Sequence, residues 1–153
     1  MALSRLHEHW REEHFHNFLV ESVGKPFEWG TNDCCLYAAD AILSYTGVDI
    51  AEEFRNKYTN EFGALRAIKE VTGGSTVADA AAYCAQKHGL EEHAYPLMAK
   101  RGDLVVIKNG DNLIAGVVHL NGRDVISVSE DGPVRLPLAD RNGKAHIVRS
   151  WSV

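Results

Sequence analysis

Two rhythms of apolar positions follow one another along the chain. Leu3, Leu6, Trp10, His14 and Phe18 recur at spacings of three and four, which predicts an amphipathic first helix with Glu8, Arg11, Glu12 and Glu21 mostly off its apolar stripe. "SVGKPF" ends it through Gly24 and Pro26. "CCLYAADAILSYTG" then predicts a buried helix, with Asn32 or Asp33 as its N-cap and Gly47 as its stop. "NEFGALRAIKEVTGG" and "STVADAAAYCAQKHG" predict two more helices, each closed by glycine. From Gly102 the period shortens. "GDLVVIK", "NLIAGVVHL", "DVISVS", "VRLPL" and "AHIVRSW" are short, β-branched runs separated by "NGDN", "NGR", "EDG" and "RNG". Such turns predict strands paired antiparallel through hairpins. Helices first and strands afterwards predict an α+β domain, with the helices packed on one face of the sheet.

Length and composition narrow the setting. The 153 residues, 45% of them hydrophobic, suit a single domain over 1–153 with a real core. Sixteen Lys and Arg face 21 Asp and Glu, and no basic stripe appears, so nucleic acid is not an expected partner. The opening "MALSRLHEHWREEHFHNF" lacks an apolar core of signal-peptide length, and no run approaches the roughly 18 apolar residues of a membrane span. The expectation is a chain made in the host cytoplasm without membrane insertion. Cys34 and Cys35 are adjacent and Cys84 is distant, which suits neither a disulfide framework nor the C-x-x-C spacing of thioredoxin-like or zinc sites.

Cys34 carries the chemical interest. In the first turn of a helix, unpaired N–H groups and the positive end of the macrodipole favour a thiolate by roughly 0.3–2 kcal/mol. Cleaving an amide needs more, because the departing amine must be protonated, usually by a histidine that also accepts the thiol proton. On this spacing alone, both cysteines read more simply as small apolar residues on a core helix.

The stretch "FEWGTNDCC", followed downstream by "RGDLVVI", resembles the NlpC-type cell-wall cysteine peptidases. The resemblance implies a papain-like α+β domain in which an aromatic-x-Trp-Gly stretch leads to Asp-Cys at a helix start and a Gly-Asp-Leu-Val strand opens the sheet. It assigns the nucleophile to Cys34, following Asp33, and makes Cys35 the inert neighbour. Nearly the whole chain is similar to a family of phage and prophage tail proteins related to those peptidases, through "PFEWGTNDCCLYAADAILSYTGVDIAEEFRNKYTNEFGALRAI", "KRGDLVVI" and the Trp of "VRSWSV". That likeness implies a component of the virion tail, at or near the tail tip, with other tail-tip proteins and peptidoglycan as partners and no cofactor. The peptidases place their base at the start of a His-x-Gly strand, and the corresponding position here is Ile114, two residues before Gly116. Two readings follow from this departure: a tail-tip component that keeps the fold without the chemistry, or an active peptidoglycan hydrolase in which Cys34 attacks and His119 serves as base. His119 has the opposite strand parity from Ile114, so it is expected on the other face.

Three other constellations are weaker. His9, Glu13 and His16 fall at metal-ligand spacing, but without a supporting motif they read as a titratable surface, and no metal is expected. Asp33 and Asp40, seven apart, read as a helix cap and as a polar contact to Arg55 or Tyr58. Trp29, with Phe27, and Asp33 are the candidates for lining a substrate groove beside Cys34.

Overall fold

The structure, a computed structural model, describes residues 2–153. Four α-helices, α1 (His16–Ser22), α2 (Cys34–Thr46), α3 (Glu61–Thr72) and α4 (Val77–Lys87), accompany six strands. These are β1 (Glu91–Glu92), β2 (Leu104–Asn109), β3 (Asn112–Val118), β4 (Asp124–Ser129), β5 (Gly132–Pro137) and β6 (Ile147–Ser152). They form one antiparallel sheet in the order β1-β6-β2-β3-β4-β5. The domain is therefore α+β, with α2 and α4 lying against β2, β3 and β4. Among the described residues no helix is long and apolar enough to cross a membrane.

Each long helix starts where a side chain accepts from a free N–H group. Asp33 caps α2, Asn60 caps α3 and Thr76 caps α4, the last in a reciprocal capping box with Asp79. Gly47 and Gly73 end α2 and α3 in the left-handed region. Between its caps, α2 buries Leu36, Ile42 and Tyr45 completely, each contributing roughly 1.5–3 kcal/mol by leaving water.

The first segment departs from the expected helix. Regular helix begins only at Trp10, passes through a π-helical stretch, Arg11–Phe15, and becomes α1. The cause is tertiary. Leu6 N–H donates to Tyr45 O, Arg5 donates to Val153 O, and the Arg5 guanidinium lies 4.5 Å from the Trp10 ring centroid, which holds residues before Trp10 in a non-helical path. The extra residue of the π turn points Phe15 inward, fully buried beside Trp10 and Tyr45, while Leu6 on the expected stripe is 56% exposed.

Alternation along the strands gives the sheet two apolar faces. Leu104, Val106, Ala115, Val117, Ile126 and Trp151 join the helices in the main core. Val105, Ile107, Ile114, Val118, Val125 and Ile147 form a second cluster on the opposite face, covered by Val134, Leu136, Leu138 and Ala99. Among the described residues Cys34 is the side chain that packs against both clusters. It does so where the sheet opens.

Candidate functional site

The site begins with a carboxylate. Asp33, 2% exposed, takes three donors: Leu36 N–H to Oδ1 at 3.0 Å, Gly30 N–H to Oδ2 at 3.0 Å and the Tyr58 hydroxyl to Oδ2 at 2.5 Å. The first bond makes Asp33 the N-cap, and the other two tie the "WGTN" turn and the segment before α3 to the start of α2. Gly30 is required here, because a Cβ would overlap Tyr58 O. Burial, followed by the charge of Asp33, pushes the Tyr58 hydroxyl far above its ordinary value, so it stays a donor. The cap places Cys34 at the first helical position and Cys35 at the second.

The thiol of Cys34 meets the sheet at a gap. β3 and β4 pair only through Val117 with Ile126 and Val118 with Val125. Beyond them, at Ala115, the Ser127 hydroxyl donates to Ala115 O in place of a ladder bond. Near this gap the Ala115 N–H is among the groups that lower the Cys34 thiol's pKa. Gly116 allows this crossing, since a Cβ there would stand 2.5 Å from Ile126 O. The Cys34 thiol is held below its ordinary pKa, first by a hydrogen bond from the Cys35 thiol and then by the N–H groups of Ala115 and Cys35, against burial and the Asp33 charge. Cys35 is pushed well above its ordinary value by the same partnership and by burial. Burial pushes Cys84 up to about 12. One thiol of the three is therefore inclined to ionise, and it is the one after Asp33.

The other candidates have partners of their own. His119 sits in the turn after β3, where its Nδ1 accepts from Asn121 N–H at 3.0 Å and its backbone N–H donates to Asp124 O at 2.8 Å. Burial lowers its pKa first and Arg135 adds to the effect, while Asp124 opposes it. No histidine is among the groups with the largest influence on Cys34. Ile114, 7% exposed, belongs to the second cluster that Cys34 touches. Trp29 stacks edge-on against Phe27 with ring centroids 4.9 Å apart. Asp40 does not join Asp33; it pairs with Arg55 Nη1 at 2.8 Å, and Arg55 Nε also holds Asp49 at 2.9 Å. On the first segment His7 faces Glu13 and His9 faces Glu8 rather than a shared site. Among the described residues no three His, Cys, Asp or Glu side chains gather as metal ligands. The groups that act most strongly on the Cys34 thiol are the Cys35 thiol, the N–H groups of Ala115 and Cys35, and Asp33, a set that favours a thiolate on balance.

A second polar centre escaped the sequence reading. Asp103, fully buried, accepts from Lys100 N–H at 3.0 Å and Val153 N–H at 3.0 Å, from Lys100 Nζ at 3.0 Å, and lies 2.8 Å from His93 Nε2. The Lys100 ammonium also donates to the Ser152 hydroxyl. The centre joins the stretch after β1, the start of β2 and the end of β6. Its one visible signal was an acid directly ahead of the four buried apolar residues of "LVVI".

Comparison with known proteins adds one finding. The model of a family described as a domain of unknown function, DUF6950, matches residues 5–153. No curated protein matches the chain.

Proposed function

We propose, on the premise that the chain belongs to the DUF6950 family, that it is a phage tail-tip component with an NlpC-type peptidase-like domain that does not cleave amides. The tail assignment rests on the sequence resemblance carried by "PFEWGTNDCCLYAADAILSYTGVDIAEEFRNKYTNEFGALRAI", "KRGDLVVI" and the Trp of "VRSWSV". The loss of chemistry rests on one observation: the influences on Cys34 come from thiols, backbone N–H groups and Asp33, with Ile114 packed in the cluster beside it. Without an acid, an amine leaving group is held back by roughly 10²–10⁴-fold. In this reading the domain is a docking module, made in the cytoplasm and carried in the particle. The test is mass spectrometry and electron microscopy of purified particles from the phage or prophage that encodes the chain. The chain is expected in the tail fraction at a fixed ratio to its neighbours, and fully infectious particles without it would exclude the assignment.

The lowered Cys34 pKa favours a second reading, an active peptidoglycan endopeptidase or amidase with Cys34 as nucleophile. His119 would have to leave its bond with Asn121 N–H to serve as the base. Cys34-dependent digestion of cell-wall sacculi separates the two.

A further inference from the structure

Charge is unevenly divided along this acidic chain. Residues 1–98 carry 8 Lys and Arg against 15 Asp and Glu, a net of −7, whereas residues 99–153 carry 8 against 6, a net of +2. Part of that positive excess gathers around the turn between β3 and β4. There a shallow cleft of about 460 Å³ is lined by Asn121, Gly122, Arg123 and Asp124 on one side and Pro137, Leu138 and Ala139 on the other.

Three guanidinium groups surround this turn. Arg123 lines the cleft, and among the described residues its side chain has no ion pair. Arg101 donates through Nε to Leu120 O, with its guanidinium against Gly122: Cζ and both Nη atoms stand 3.4–3.6 Å from where a Cβ would be. Arg135 donates through Nε to Asp124 Oδ2 at 2.9 Å. Anchoring through Nε fixes the plane of a guanidinium while leaving its two Nη groups to donate, the geometry that binds an oxyanion through paired hydrogen bonds. Asp124, the acid of the cleft, is already engaged by Asn121 Nδ2 and Arg135.

We propose that the β3–β4 turn is a binding site for a phosphate group, held by Arg101 and Arg123 with Arg135 beside them. A phosphate monoester, with about 1.5–2 negative charges and three acceptor oxygens, matches several forked donors better than one carboxylate does. A cleft of this size admits the group with a small substituent. No aromatic side chain lines it, so stacking of nucleic-acid bases has no platform there. The site is independent of Cys34 and stands whether or not the cysteine is reactive.

His119 provides the readout. Its imidazole resonances would be followed by NMR against pH while inorganic phosphate is added to the full chain, with chloride at matched ionic strength as control. Phosphate should raise the His119 midpoint saturably. Arg101→Gln and Arg123→Gln should each weaken binding by about tenfold, the loss of a charge-assisted bond. Asp124→Asn should tighten it. Tighter binding of an oligomer linked by phosphodiesters would identify an anionic polymer as the source of the group, and equal or weaker binding would identify a free phosphate compound. An equal response to chloride, or an unchanged affinity in both arginine variants with the remaining spectrum native, would overturn the site.

Discussion

Asp33 and Asp103 are both buried carboxylates, yet their surroundings have opposite chemistry. Asp33 is satisfied by two backbone N–H groups and a phenol, with no cation bonded to it. Asp103 is satisfied by two backbone N–H groups and by Lys100, with His93 at hydrogen-bond distance. A hydrolase needs an ionisable proton carrier beside its nucleophile. Here the cysteine stands next to the first centre, and the engaged imidazole belongs to the second. The difference teaches that in one small domain a cysteine at a capped helix start and a His–Asp pair can belong to separate polar centres.

The largest consequence of this contrast is in stability. Removing Asp103 leaves two N–H groups and the His93 imidazole without their partner, while Lys100 turns to solvent, so Asp103→Ala should cost about 3 kcal/mol in urea unfolding. A loss below 1 kcal/mol would mean that the centre is not a structural hub. Asp33→Ala should cost less, about 2 kcal/mol, because a cap and two further donors are lost but no ion pair is broken. Tyr58→Phe should cost about 1 kcal/mol at most, since Asp33 keeps its two N–H donors. Should the Asp33 variant prove the more damaging, the ranking of the two centres would be reversed.

A smaller effect separates the buried thiol from the one at the helix start. Cys84 has its ordinary value of 9.0 pushed up to about 12, so the native state holds its proton where the unfolded chain releases it. That contribution is complete below about pH 9 and is lost between about 9 and 12, amounting to about 1 kcal/mol by pH 10. Urea unfolding across that range, compared with Cys84→Ala, should show a shallower alkaline decline in the variant. Cys34 should contribute no such decline; its signature is kinetic. Iodoacetamide at pH 7 should label Cys34 well ahead of Cys35 and Cys84, read by mass spectrometry of the labelled peptides. Equal, slow labelling would remove the distinction.

The sequence disclosed what is encoded locally. The Asp33 cap, the glycine stops at Gly47 and Gly73, and the strands from Leu104 onward could be read from side chains within one or two turns of their effect. The late start of the first helix could not, because it depends on Tyr45 O and Val153 O, 39 and 148 residues away from Leu6 and Arg5. β6 inserting between β1 and β2 is likewise a long-range pairing that no hairpin turn announces. At the candidate site, Cys34 and Asp33 were legible as a helix start. The influence of the Ala115 N–H was not, since it arises where β3 and β4 part beyond Val117. Of the two partners the sequence offers Asp40, Arg55 is the one it meets, and Tyr58, 25 residues from Asp33, goes to that cap instead.

The most direct test of the account is digestion of purified cell-wall sacculi by the full chain beside a Cys34→Ala variant, followed by separation of the released muropeptides. The account predicts no release above background by either protein, because the groups acting most strongly on Cys34 are thiols, N–H groups and Asp33 rather than a histidine. Vigorous release by the native chain that disappears in Cys34→Ala would contradict it.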